Sequence, residues 1–226
     1  MRASRHLSIL GLIAVAAMVF LFEQTRDVPL SQTYGAIPSL VHRAWAALAD
    51  GRMSALVAQA FSRLVTALFL HGDIEHILYN MVFLWAFGYL VSQHLGQWWA
   101  LAVFFVCGVC GNIVQVLLNA DSMAPIIGAS GAVCGFEGVY LGLALRWQLP
   151  DPDVWPLAHP IPPLQLAAFA AIGLLGDLYF LTDQTQGIAY GAHVGGFLAG
   201  LAIAAVVTTV YPTLAAYERA ARKGCN

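Results

Sequence analysis

Six stretches of this sequence are apolar for long enough to dictate the solvent: residues 7–22, 75–93, 98–118, 126–147, 164–181 and 188–211. A helix of about 20 apolar residues crosses the roughly 30 Å of hydrocarbon in a bilayer. Composition agrees, since 60% of the residues are hydrophobic and only 10% charged, with a mean hydropathy of +0.74. The fold class expected is an all-α polytopic membrane protein, a single six-helix membrane domain over residues 1–226. Its surrounding partner is the lipid bilayer. A net charge of −2 offers no clustered basic surface, so no nucleic acid is expected as a partner.

The first run follows Arg2 and Arg5 and ends in bulky residues before Glu23. It lacks the small-residue pattern of a signal-peptide cleavage site, so an uncleaved first span is expected. Residues 23–72 are broken by Gly35, Pro29, Pro38 and Gly51. They read as a long outer-side loop carrying interfacial helices near 39–48 and 54–70. Short connections at 94–97, 119–125 and 182–187 make neighbouring spans antiparallel, and 148–163 is proline-rich. With the N-terminus cytoplasmic, Arg2, Arg5, Arg146, Arg219, Arg222 and Lys223 fall inside, while the short connections holding Asp121 and Asp183 carry no lysine or arginine. Both termini are therefore expected in the cytoplasm. The bacterial inner membrane is the expected location, an organellar membrane the alternative.

This topology brings polar residues to one depth. Spans two, four and six all enter from the outer side, with His76 and Asn80 near the start of the second, Ser130 near the start of the fourth and His193 near the start of the sixth. At 1.5 Å per residue, Ser130 and His193 are each expected about 6–9 Å below their helix starts. Span four carries Gly131, Gly135, Gly138 and Gly142, and span six carries Gly191, Gly195, Gly196 and Gly200. Small residues four apart let helix backbones touch, so Ser130 and His193 can meet. His76 and Asn80, four apart, share one helix face.

A serine hydroxyl needs a neighbouring base to act as a nucleophile, and neutral His193 can accept its proton and pass it to a leaving amine. The oxyanion then formed can be held by the Ser130 backbone N–H with the side chains of Asn80 and His76. No carboxylate stands out in sequence to orient His193, so a Ser-His dyad is expected. Glu137 shares the Ser130 face about 10 Å deeper, too far to orient His193; a structural or water-holding role is expected, and Asp177 is read similarly. Cys107 and Cys110 sit in an uninterrupted apolar run and are read as packing residues.

Several stretches together resemble the rhomboid family of intramembrane serine proteases: Arg63 through His71, His76-Ile-Leu-Tyr-Asn80 with Gly88, Gly128-Ala-Ser130-Gly131, and Ala192-His193-Val-Gly-Gly196-Phe with Gly200. The resemblance implies a six-helix rhomboid-like bundle in which Ser130 is the nucleophile, His193 the base, and His76 and Asn80 the oxyanion partners. Gly128, Gly131, His71 and Arg63 belong to the supporting motifs, with His71 fixing the first loop and Arg63 anchoring it at headgroup level. It also implies transmembrane protein substrates cut near the membrane surface, and no metal or organic cofactor. The alternative function is an inert rhomboid-like scaffold that binds transmembrane helices. The oligomeric state is unknown. Three positions depart from the family pattern. Ser62 replaces a tryptophan before Arg63. Ser92 replaces a glutamate, so a polar tie to the first loop is expected to be missing. Cys134 replaces an aromatic against which the catalytic imidazole packs, so His193 is expected to be held less firmly.

Overall fold

A computed structural model describes residues 6–26, 29–154, 157, 159, 161–181 and 187–223, with side chains as far as Ala221. Arg2, Arg5, Asp183 and Cys225, and the side chains of Arg222 and Lys223, lie outside the described residues. The chain is all-helical: α1 (Leu7–Arg26), α2 (Leu30–Tyr34), α3 (Pro38–Ala49), α4 (Ala55–Thr66), α5 (Ile74–Phe83), α6 (Tyr89–Leu95), α7 (Gln97–Leu118), α8 (Ser130–Ala144), α9 (Pro163–Tyr179), α10 (Tyr190–Val210) and α11 (Leu214–Lys223). Among the described residues, four apolar helices are long enough to cross a bilayer, namely α1, α7, α10 and Ile74–Leu95, in which a π-helical turn at Leu84–Gly88 joins α5 to α6.

Local chemistry explains several boundaries. Ser54 caps α4 by accepting from the Val57 N–H at 3.3 Å, and Asp73 caps α5 by accepting from the His76 N–H at 2.8 Å. Gly96, with φ of +93°, alone separates α6 from α7. The first span runs on to Arg26, four residues past the apolar run, because a helix can emerge into polar surroundings. The interfacial helices expected near 39–48 and 54–70 are α3 and α4, the latter continued by a 3-10 turn at Ala67–Phe69.

The fourth run differs most from expectation. Its helix has 15 residues and starts at Ser130 rather than at 126. Two of the four residues before it bond to the first loop instead: Ile126 pairs with Ala36 in an antiparallel bridge, and the Gly128 N–H donates to the Ala67 carbonyl at 2.9 Å. Non-helical backbone at membrane depth is tolerated where protein surrounds it, and Ile126, Gly128 and Ala129 are all buried. The expected depth of Ser130 below its helix start is therefore corrected. Ser130 is the first helical residue.

At the centre, α8 and α10 pack backbone against backbone. A Cβ on Gly196 would collide with the Gly131 carbonyl, and one on Gly200 with the Gly135 carbonyl. A third helix joins them, since a Cβ on Gly111 of α7 would strike the Ala192 carbonyl. By contrast α9 leaves Leu164, Phe169, Ile172, Leu175 and Tyr179 exposed, a face suited to lipid. Residues 214–223, beyond the last apolar run, form α11. Tyr217 Oη donates to the Leu95 carbonyl at 2.6 Å, and Trp147 Nε1 donates to the Tyr211 carbonyl at 2.9 Å. The first bond ties α11 to the end of α6, and the second ties the segment after α8 to the end of α10. Burial first, and neighbouring Tyr211 second, raise the Tyr217 phenol above its ordinary pKa.

Candidate active site

Because α8 starts at Ser130, the first-turn amides of Ser130, Gly131 and Ala132 have no acceptor within the helix. The backbone leading in is fixed from several sides. Gly128 adopts φ of +113°, a left-handed conformation open to glycine, and the Ala129 N–H points at His71 Nε2, 3.5 Å away. His71 is 1% exposed. Burial, and secondarily the neighbouring His76, lower its pKa to about 4, so the ring is neutral near pH 7 and Nε2 can accept. The first-loop platform is itself tied to the bundle, since Asn112 Nδ2 donates to the Leu64 carbonyl at 2.8 Å.

Ser130 Oγ lies 2.8 Å from His193 Nε2. On the other side of the ring, His193 Nδ1 lies 2.9 Å from Asp177 Oδ1, with both side chains under 20% exposed, at 17% and 18%. An ionised carboxylate only accepts, so Nδ1 carries the ring proton and Nε2 is left to accept from the serine hydroxyl. This corrects the expectation that no carboxylate orients His193. The signal was present in the sequence: Asp177 stands just before the end of α9 and His193 just after the start of α10, so antiparallel helices bring them to one level.

Cys134 is one turn below Ser130. The structure does not leave His193 loosely held for want of an aromatic there, because Asp177 bonds its Nδ1 and Tyr190 meets its ring edge-on at 6.2 Å. Cys134 also approaches this pair: one donor atom from each of Cys134, Asp177 and His193 lies within 4.8 Å of the other two. Glu137, half-buried two turns below Ser130, lies within electrostatic range of Asp177.

His76 packs against Gly128, two residues before Ser130 in the chain. Its Nδ1 accepts from the Gly72 N–H at 3.4 Å, which leaves Nε2 as the ring donor. Nε2 faces Gly128 so closely that a Cβ there would come within 2.6 Å of it. The ring also lies within electrostatic reach of His193. Asn80 is buried and donates from Nδ2 to the His76 carbonyl at 2.8 Å. No hydrogen bond joins Asn80 to Ser130 among the described residues. Arg63 keeps Nε and one terminal nitrogen out of solvent with no protein acceptor among the described residues. Ser92 makes its polar tie to the N-terminal segment, its Oγ 3.0 Å from His6 Nδ1.

Residues 58–210 match the family model described as Rhomboid domain. The chain is 29% identical over 180 residues to "Rhomboid-like protease 3" of Toxoplasma gondii, an alignment covering 77% of this chain and 64% of that protein. It is 31% identical over 146 residues to "Rhomboid-like protein 11, chloroplastic" of Arabidopsis thaliana, covering 64% of this chain and 51% of the relative. Against "Rhomboid protease GluP" of Bacillus subtilis it is 34% identical over 93 residues, covering 41% of this chain and 18% of the relative. The aligned part thus spans no more than 64% of any of these three relatives.

Proposed function

The chain belongs to the rhomboid family, and on that premise we propose that it is an intramembrane serine endopeptidase acting on transmembrane segments of other proteins. The observation that carries this reading is the pair of bonds on the His193 ring, 2.8 Å to Ser130 Oγ and 2.9 Å to Asp177 Oδ1. In the proposed reaction, Nε2 takes the Ser130 proton as Oγ attacks the scissile carbonyl. Negative charge then grows on the carbonyl oxygen, where the Ser130 amide and His76 Nε2–H are suitable donors and the free N–H of Asn80 a third. His193 returns the proton to the departing amine, and water releases the acyl group by the reverse steps. Asp177 acts as a positioning residue beyond the dyad, holding the ring and favouring the imidazolium as it forms.

We read the fold as six crossings, with α8 and α9 completing the four longer ones. Both termini lie on the cytoplasmic side in this reading, supported by Arg146 and Arg219 beyond the ends of helices that start at the site. The relatives include a chloroplastic and a bacterial protein, so they lend the expected bacterial inner membrane no particular support. Lipid phosphates are suitable acceptors for the free nitrogens of Arg63.

The test is cleavage of a tagged single-span reporter by the purified chain in lipid, comparing the unmodified protein with Ser130→Ala and His193→Ala. Both variants should lose cleavage while keeping their fold. Cleavage that survives Ser130→Ala refutes the mechanism. A reporter retained but uncut by the unmodified chain supports the inert scaffold instead.

A further inference from the structure

We propose that Cys134, Asp177 and His193 form a binding site for a borderline-soft divalent cation of the Zn²⁺ class, and that its occupancy switches off the base. The three residues come from α8, α9 and α10, and one donor atom from each lies within 4.8 Å of the other two. A thiolate, an imidazole nitrogen and a carboxylate oxygen are the donor types that zinc takes. Tetrahedral zinc with bonds of about 2.0–2.3 Å separates its ligands by about 3.3–3.7 Å. The His193 to Asp177 separation of 2.9 Å needs to widen slightly. The Cys134 side needs to close by up to about 1.5 Å from the 4.8 Å limit, within reach of side-chain rotation. Three protein ligands leave a fourth position for water.

The proton balance explains the inhibition. In the free protein Nδ1 carries the ring proton and faces Asp177. A cation held jointly by that carboxylate and by Cys134 takes the Nδ1 lone pair, and the ring proton then resides on Nε2. An Nε2 that already bears hydrogen cannot accept from Ser130. The Cys134 thiol loses its proton to solvent, so one proton is released per ion bound and binding strengthens as pH rises. No electron moves and no covalent bond of the chain is cut. The ion is an inhibitor, distinct from a cofactor.

The inhibition rests on the protease reading, whereas the site itself does not, and the test separates them. Co²⁺ is titrated into the purified full chain in lipid while the near-ultraviolet thiolate-to-metal charge-transfer band is followed. The band should appear in the unmodified chain and vanish in both Cys134→Ala and Cys134→Ser. Should those variants fail to fold, Asp177→Asn retains the thiol and should weaken Co²⁺ binding. In parallel, Zn²⁺ should inhibit reporter cleavage reversibly on chelation. The inhibition constant of Cys134→Ala, taken relative to its own uninhibited rate, should rise at least as much as loss of an outer-shell partner weakens a metal site, roughly 10–100-fold. A band that persists in both cysteine variants, or none in the unmodified chain, overturns the site. Inhibition equal in the unmodified chain and Cys134→Ala overturns the switch. A chain that shows the band but cuts no reporter keeps the site and loses the protease reading.

Discussion

Replacing Asp177 by asparagine removes one charge at almost constant shape, and the structure allows the consequence to be sized. The carboxylate lies 2.9 Å from Nδ1, with both side chains under one-fifth exposed at 17% and 18%. Before reaction the imidazole is neutral and the contact is an ordinary charge-assisted hydrogen bond. Once Nε2 has taken the serine proton the contact becomes an ion pair, so the carboxylate stabilises the transition state more than the resting state. A hydrogen bond to a charged partner contributes about 1.5–3 kcal/mol. At about 1.4 kcal/mol per factor of ten, Asp177→Asn should lower kcat by roughly 10–150-fold. KM should stay near its original value, because Asp177 sits behind the base. Steady-state cleavage of a single-span reporter in lipid separates the two constants, thermal unfolding reports on the fold, and Asp177→Glu should recover part of the rate. A kcat within about twofold of the unmodified protein in folded Asp177→Asn would refute the reasoning, since a 1.5 kcal/mol contact cannot vanish so cheaply. So would a loss carried wholly by KM.

Other perturbations follow from the same structure. Burial and His76 hold the His71 pKa at about 4 against an ordinary 6.5; since the folded value is the lower one, stability is full above about pH 6.5 and declines toward pH 4. The loss should reach roughly 3 kcal/mol, read as the difference in denaturant unfolding between the unmodified chain and His71→Gln at each pH. An identical pH dependence in the two proteins would contradict it. Gly196→Ala drives a methyl into the Gly131 carbonyl, where no side chain can swing aside. It should cost at least about 1–3 kcal/mol in thermal unfolding, and an unshifted Tm would deny the close approach. Tyr217→Phe strips the donor from the Leu95 carbonyl and should cost about 0.5–1.5 kcal/mol while leaving cleavage intact, which unfolding and reporter assays together check.

The apolar runs made the long helices legible because each carries enough transfer energy to declare itself. Ser130, His193 and His76 could be singled out because polar groups at matched depth are hard to explain by packing. What escaped depended on contacts between distant segments. The start of α8 is set by the Ala36 and Ala67 carbonyls, and neither Ile126 nor Gly128 announces that its hydrogen bonds go elsewhere. Asp177 reads in sequence as an isolated intramembrane carboxyl, because its partner is 16 residues away on a different helix. The C-terminal helix is short and polar, so hydropathy passes over it, and its bond to Leu95 spans 122 residues of sequence.

The glycine contact between α8 and α10 divides the site mechanically. Ser130 and His193 ride on two backbones that touch, so they behave as one rigid part, and the distance across which the proton first moves is insulated from motion elsewhere. Asp177 belongs to a helix whose outer face meets only the surroundings. Any excursion of α9 stretches the contact at Nδ1 and spares the one at Nε2. Ser130 and His193 stay assembled through such an excursion, while the carboxylate at Nδ1 comes and goes with α9.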